Sequence, residues 1–188
     1  MNTTTTNRLP ILTGLTLALM VGLGATVAPK DHDRPDRGPA SKAVTGGFDW
    51  AIVPPNLAPY IIPGTDGALY LRNAPLVGTF ALTGRGITLD PATTRINVQL
   101  SGELDPNTFN GVLWAPTVLT ATMDGVKTII FEGTATADTV GLVSTGKATL
   151  NGRGPFEGTK LEFTFEEIGP GNSDTYTLAG YLSPAPRR

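Results

Sequence analysis

The chain has no cysteine and a single histidine, and these two scarcities exclude many kinds of active site. Without cysteine there is no thiolate nucleophile, no thiolate metal ligand and no disulfide. The one histidine, His32, lies in a polar, proline-rich segment, where we expect it to be solvated. A histidine-based catalytic triad and a histidine-rich metal site are therefore excluded from the folded part, and we expect no metal and no cofactor.

Charged residues are also scarce. They make up 16% of the 188 residues and give a formal net charge of −2, whereas about a quarter of the residues of a typical globular domain are charged. This balance gives no electrostatic reason to bind nucleic acid or an anionic membrane. We expect no nucleic-acid partner, and membrane contact only through an uncleaved leader. The sequence does not indicate the oligomeric state.

Residues 9–28 form an apolar run without a charge, preceded by Arg8 and ending in small residues. This pattern is typical of a secretory signal peptide, so we expect residues 1–28 to be removed and the protein to be secreted or extracytoplasmic. The alternative is a retained anchor, because about 20 apolar residues can span a bilayer. Residues 29–44 are polar and proline-rich, which predicts a disordered linker. The prediction then places a β domain at residues 45–183 and a tail at residues 184–188.

Alternation of apolar and polar residues dominates the predicted domain. Residues 94–104 and 159–166 each place large apolar side chains on one face and polar ones on the other, as in an antiparallel strand with one wet side. In residues 128–135 the same pattern predicts that Ile129 faces inward, with Phe131, and that Ile130 faces outward, with Glu132. Further strands are predicted at residues 68–72, 76–83, 87–90, 112–123, 142–150 and 175–182.

The connections support an all-β fold. Asp124-Gly125 separates two alternating runs and predicts a two-residue hairpin turn, since both turn positions favour positive φ. No segment has helical periodicity over three turns, so about eight short strands predict an antiparallel meander. Its edges must be hidden, which favours a closed barrel, with a β-sandwich as the alternative. Residues 48–63 are apolar but contain four prolines, and predict an irregular strap or edge segment. We expect its Trp50, Tyr60, Ile61 and Ile62 to pack over the barrel.

One segment suggests a family. Residues 146–159, GKATLNGRGPFEGT, have the order strand, glycine-rich turn, Phe-x-Gly, strand. They resemble the allene oxide cyclase and dirigent-like β-barrels, and residues 163–165 and 177–182 are similar to the closing strands of that family. The resemblance covers the C-terminal third of the chain. It implies an eight-stranded antiparallel barrel with an apolar cavity, in a family that acts on hydrophobic small molecules, and carries no specific activity to this chain. Gly152 and Gly154 would let Phe156 turn inward as an end plug.

Catalysis without histidine or cysteine would depend on carboxylates, lysine, tyrosine or hydroxyl groups. Four strand carboxylates lie opposite the large apolar side chains and are expected to be solvated. Glu132 is the best acid–base candidate among them, because Ile130 shares its face. Because the strand carboxylates are expected to be solvated, the sequence favours a protein without catalytic activity. It does not decide whether the protein is an enzyme. The four carboxylates are Glu103, Glu132, Glu162 and Glu166.

The predicted inner faces carry the candidate ligand-binding residues. An eight-stranded barrel is either filled by its own side chains or holds one small ligand. The sequence accordingly predicts a secreted, non-catalytic barrel that binds a hydrophobic small molecule or acts as an extracellular interaction module. One alternative is a barrel isomerase or cyclase on a hydrophobic substrate, and another is a surface adhesion or matrix protein. The candidate ligand-binding residues are Phe131, Phe163, Phe165 and Tyr176.

Overall fold

The computed structural model describes residues 41–52, 58–141, 143–168 and 174–184. The predicted signal peptide, most of the predicted linker, part of the strap and nearly all of the predicted tail lie outside these residues. The strands are β1 (Lys42–Asp49), β2 (Ala51–Ile52), β3 (Ile61–Pro63), β4 (Leu69–Gly84), β5 (Ile87–Leu89), β6 (Thr94–Leu104), β7 (Gly111–Met123), β8 (Val126–Val140), β9 (Val143–Gly152), β10 (Thr159–Glu167) and β11 (Thr175–Pro184).

The eight long strands form a closed antiparallel barrel. Their order is β1-β11-β10-β9-β8-β7-β6-β4, and β1 pairs again with β4. The short strands β2, β3 and β5 pair with β4 outside this ring. Closure gives every long strand two neighbours, which removes the free edges that an open meander would expose. The predicted all-β barrel is confirmed, and the β-sandwich alternative is wrong.

Strand β4 joins two segments that the sequence separated. Its pairing with β6 shifts between Leu71 and Ala74, and Asn73 has a φ of 51°. The backbone N–H of Asn73 donates to Ser101 Oγ at 3.0 Å, which gives the irregular backbone a hydrogen-bond acceptor. This bulge interrupts the alternation, and for that reason the sequence pattern indicated two strands.

A second bulge corrects the predicted faces of β8. Leu119 lies opposite Phe131, but Thr120 lies opposite Ile129, so Ile130 is an extra residue. Ile130 and Phe131 are both buried, while Ile129 is 45% exposed. The prediction that Ile129 faces inward and Ile130 outward was wrong, because one extra residue reverses the faces on one side of the bulge.

The first strand begins before the predicted domain boundary. β1 starts at Lys42, so that residues 42–44 of the expected linker lie in the barrel wall. Val44 and Phe48 are buried, but Gly46 and Gly47 lie between them and hide the alternation. Gly46 has no room for a Cβ atom, which would overlap the carbonyl oxygen of Ala81 on β4. A close approach of two backbones therefore explains a glycine in a strand.

The strap prediction is confirmed in part. Trp50 packs against the core, and β3 is an edge strand paired with the start of β4. Ile61 and Ile62, however, are 37% and 43% exposed, so the prediction that they pack over the barrel was wrong. Tyr60 is half-buried and ends a single 3₁₀ turn, Ala58–Tyr60.

The barrel has two different ends. The lower end carries the Asp124-Gly125 turn and residues 153–158, and the upper end carries the β6–β7 connection (residues 105–110), Gly141, Ile168 and Asp174. At the lower end Phe156, in the 3₁₀ turn Gly154–Phe156, stacks on Phe131 with ring centroids 5.0 Å apart. Asp124 and Gly125 have φ values of 51° and 77°, as the predicted hairpin turn requires. Phe156 thus covers the lower end of the core, as the glycine-rich motif predicted.

Candidate functional site

Six aromatic side chains pack together in the upper half of the barrel. Phe48 stacks on Tyr176 with centroids 4.7 Å apart, and Phe165 meets Phe48 edge-on at 5.4 Å. The ring centroid of Trp50 lies 5.2 Å from that of Phe48 and 4.8 Å from that of Tyr176. Such pairs add stability beyond the area that they bury. The upper aromatic cluster consists of Phe48, Trp50, Phe80, Phe163, Phe165 and Tyr176.

The structure brings together three of the four predicted ligand-binding residues. Phe163, Phe165 and Tyr176 belong to the upper aromatic cluster, whereas Phe131 pairs with Phe156 at the lower end. All four are buried in the interior. Their role in binding a ligand remains a prediction. Phe48, Trp50 and Phe80 were not among the candidates chosen from the sequence. The alternation of Leu76, Phe80 and Leu82 was a signal that could have placed Phe80 inward, whereas the glycines of β1 and the prolines of the strap concealed Phe48 and Trp50.

Little free space remains beside this cluster. A cavity of about 30 Å³ lies among Phe48, Ile96, Ala148, Phe163 and Phe165. That volume suffices for a single water molecule, but a buried water needs two to four polar partners and this lining is almost wholly apolar. Pockets that enclose a drug-sized ligand measure about 300–1,000 Å³. Beside the upper aromatic cluster, the described side chains therefore fill the space that such a ligand would need.

A buried polar cluster lies at the upper end, above the aromatic rings. Glu167 is only 7% exposed and accepts a hydrogen bond from the backbone N–H of Ser144 at 3.0 Å. The hydroxyl groups of Ser144 and Thr139 lie 3.0 Å apart. Glu167 is the register partner of Tyr176 across β10 and β11, and both face inward. A carboxylate and a phenol therefore lie side by side at the top of an apolar barrel.

This environment shifts two pKa values. Burial, followed by the charge of Glu167, raises the pKa of Tyr176 well above its usual value. Burial, followed again by Glu167, also raises the pKa of Asp174, while a hydrogen bond with Trp50 partly opposes the shift. Glu167 was not among the candidate carboxylates chosen from the sequence. The alternation of Leu161, Phe163 and Phe165 continues to residue 167 and was the signal that places this carboxylate inside.

The carboxylates chosen from the sequence lie outside the barrel. Glu132 accepts hydrogen bonds from Arg153, with Nε 2.9 Å from Oε1, and both side chains are largely exposed. An exposed ion pair of this kind is not a buried acid or base, so the expectation that Glu132 is solvated on the outer face is confirmed. Glu162 pairs with Lys160 at 3.0 Å, and Glu103 and Glu166 are exposed. These three confirm the prediction of outer-face charges.

The upper end also exposes large apolar side chains. Val140 is 68% exposed, Val112 50% and Trp114 47%. Val140 is the last residue of β8, at the hairpin between β8 and β9. The N–H of the next residue, Gly141, donates a hydrogen bond to Asn110 Oδ1 at 2.9 Å. We call the set the upper rim; its residues are Phe109, Val112, Trp114, Val140, Val143 and Ile168.

A groove runs along one side of the upper rim. It measures about 640 Å³ and is open to solvent, between the turn at residues 66–68 and the β6–β7 connection. Its apolar lining includes Val112 and Trp114, and Asp66, Glu103 and Asp105 contribute carboxylates. We call this feature the rim groove.

Two further features of the described residues bear on function. Across residues 41–52, 58–141, 143–168 and 174–184, His, Cys, Asp and Glu form no group of three or more that could hold a metal ion. In the same ranges there is no helix with the length and apolar character needed to cross a membrane. Protein-family models, curated proteins and solved structures were compared with the chain, and none of them matches. The evidence for the barrel fold is therefore the structure of this chain alone. The resemblance to allene oxide cyclase and dirigent-like barrels stays a hypothesis.

Proposed function

We propose that the chain is an exported, non-catalytic interaction module that binds its partner through the upper rim. The observation that carries the proposal is a contrast within one barrel. The cavity beside the upper aromatic cluster has only about 30 Å³ of free space, whereas six large apolar side chains of the upper rim are 36% to 68% exposed. Export is supported by the apolar leader in the sequence.

The exposed rim has a thermodynamic consequence. Burying an apolar side chain of the size of valine or phenylalanine is worth about 1.5–3 kcal/mol relative to full exposure. Contiguous exposed apolar surface is typical of an interaction site in an otherwise soluble domain. A partner that covers Val140, Val112 and Trp114 therefore gains stability that the free protein lacks. Adhesion to a surface or matrix is one form of this proposal.

The filled interior supports a surface site over an enclosed one. A hydrophobic small molecule inside the barrel would have to displace rings that already pack at centroid distances of 4.7–5.4 Å. Displacing them gives up their mutual contacts, which offsets the gain from the ligand. A small molecule could bind at the rim without this cost.

Site-specific photo-crosslinking in the cells that produce the protein tests the proposal. Val140 at the upper rim and Val126 at the lower end form a matched pair, 68% and 64% exposed. A photoreactive residue at position 140 should give a discrete crosslinked species, and the same residue at position 126 should give none. Equal crosslinking at both positions, or none at position 140, would contradict the proposal.

A second candidate function has one observation in its favour. The buried pair of Glu167 and Tyr176 supplies a proton acceptor and a proton donor beside the apolar rings, as a barrel isomerase or cyclase would need. NMR titration with decan-1-ol separates the candidates. Shifts confined to Val140 and its rim neighbours support the interaction module. Shifts at Ser144, Phe163 and Tyr176 would instead support a catalytic interior.

A further inference from the structure

The rim groove combines one exposed aromatic ring with several carboxylates. Trp114 is 47% exposed and stands on the outer face of β7. Glu103 and Val112 are register partners on β6 and β7, and Asp138 on β8 lies opposite Val112 on its other side. The outer face of the sheet thus carries a carboxylate on each side of Val112, and Trp114 lies two residues further along β7 on the same face.

The remaining carboxylates of the groove are held in place by the loops. Asp66 accepts hydrogen bonds from the Tyr70 hydroxyl at 2.7 Å and from the Ala68 N–H at 3.1 Å. The Tyr70 hydrogen bond is the main cause that lowers the pKa of Asp66, so this carboxylate is ionised at neutral pH. Asp105 accepts from the N–H groups of Asn107 and Thr108 at 2.7 and 3.1 Å. These hydrogen bonds hold the carboxylates of Asp66 and Asp105 in place in the groove lining.

No positive charge balances these acids at the site. The described residues that line the groove include Asp66, Glu103 and Asp105 but neither lysine nor arginine. Within the described part of the chain, Glu103 forms no ion pair. A groove with three carboxylates and an exposed indole favours a cation, because the ring face attracts positive charge and the carboxylates pair with it.

We propose that the rim groove binds a lysine- or arginine-bearing segment of a protein partner, with a cationic side chain on the face of Trp114 and its charge toward Glu103. The inference rests on the proposed function, because it specifies the chemistry of the partner that covers the upper rim. Charge complementarity argues for this occupant, and the volume of about 640 Å³ is within the range of sites that hold a side chain or a short segment. A neutral sugar would use the indole and leave the carboxylates without a charged partner.

The test is an NMR titration of the full chain with the peptide acetyl-tetralysine amide at low salt. The peptide should shift the indole N–H resonance of Trp114, and acetyl-tetraglutamine amide should not. Glu103→Gln should weaken binding by about three- to fivefold, the size expected for one exposed ion pair. Glu166→Gln is the matched control, since it removes the same charge from an exposed strand position on the far side of the barrel. It should change the affinity by less than about 1.5-fold.

Three results would overturn the inference. The first is an indole resonance of Trp114 that tetralysine does not move. The second is equal weakening by Glu103→Gln and Glu166→Gln, which would indicate attraction to overall charge alone. The third is binding of cellotetraose at Trp114 that is unaffected by Glu103→Gln, in the absence of tetralysine binding. Crosslinking at position 140 does not depend on the charge of the groove. A failed titration with successful crosslinking therefore removes only this inference, and failed crosslinking removes the proposed function.

Discussion

The two ends of this barrel solve the same physical problem in different ways. At the lower end the chain covers its own core, because the turn around Gly154 brings Phe156 onto Phe131. At the upper end the core is covered by Trp50 and by the buried polar groups of Glu167 and Tyr176, while the surrounding apolar side chains stay exposed. Large apolar side chains are exposed at both ends, with Met123, Val126 and Ile129 at the lower end and six at the upper rim, where we propose that a partner binds. The four predictions that follow test this difference.

The largest effect is expected at the lower end. Phe131→Ala removes a ring that is completely buried, so the free energy of unfolding should fall by about 3–5 kcal/mol. Trp114→Ala, at the upper rim, should cost less than about 1 kcal/mol, because the ring is half exposed in the free protein. Urea denaturation of both variants measures the two values. Similar losses would mean that the upper rim is part of the core and would remove the contrast between the ends.

A smaller effect separates two adjacent glutamates. Glu167 is buried and accepts the Ser144 N–H, while Glu166 is exposed on the opposite face. Glu167→Ala leaves a buried donor without this acceptor and should lower the free energy of unfolding by about 1–3 kcal/mol. Glu166→Ala should change it by no more than about 0.5 kcal/mol. The same denaturation measurement compares them, and Glu167→Gln should recover part of the loss. Equal values for the two alanine variants would show that Glu167 has no structural role at the upper end.

The hairpin turn at the lower end depends on a backbone conformation that favours glycine. Gly125 has a φ of 77° in the hairpin between β7 and β8. Gly125→Ala should cost about 1 kcal/mol, because residues with a Cβ disfavour that region. The melting temperature reports the loss, with Asp124→Asn as the control, since asparagine tolerates the same turn position. An unchanged Gly125→Ala variant would mean that the turn relaxes without affecting the barrel.

The smallest effect should come from pH. The pKa of Tyr176 is raised in the folded protein above its ordinary value of 10. The folded state therefore holds this proton more tightly than the unfolded chain, and the resulting stability is present below pH 10 and lost as the pH rises above it. The free energy of unfolding should decline less steeply between pH 9 and pH 11 for Tyr176→Phe than for the wild type. Parallel declines would show that the hydroxyl is in contact with solvent.

Much of the fold followed from alternation, but the exceptions occur where the backbone departs from a regular strand. Residues 94–104 matched β6 because no irregularity interrupts its two-residue period. The bulges at Asn73 and Ile130 changed the period, so the sequence split β4 and misplaced Ile129. Asparagine tolerates the positive φ of residue 73, but isoleucine at position 130 gave no sign of the second bulge. Gly46 and Gly47 concealed β1, because a close approach between backbones leaves no apolar pattern to detect.

The candidate site was less predictable than the fold. Inward aromatic residues could be assigned from period and type, as Phe163 and Phe165 show. The lack of free space around them depends on how five rings from four different strands pack with one another and with Trp50, which no single strand encodes. The upper rim and its groove are likewise formed by loops that are distant in sequence, such as those at residues 66–68 and 105–110. The pairing of β4 with β6, which places Leu69 opposite Leu104, brings these two loops together.

The central claim is that the interior is filled by the protein itself and that binding takes place on the upper rim. Native mass spectrometry of the protein as its cells release it tests the first half of this claim most directly. The account predicts a mass equal to the polypeptide, with or without a partner polypeptide, and no small hydrophobic adduct. A stoichiometric small hydrophobic adduct that survives native ionisation and is lost on denaturation would contradict it, and would place the binding site inside the barrel.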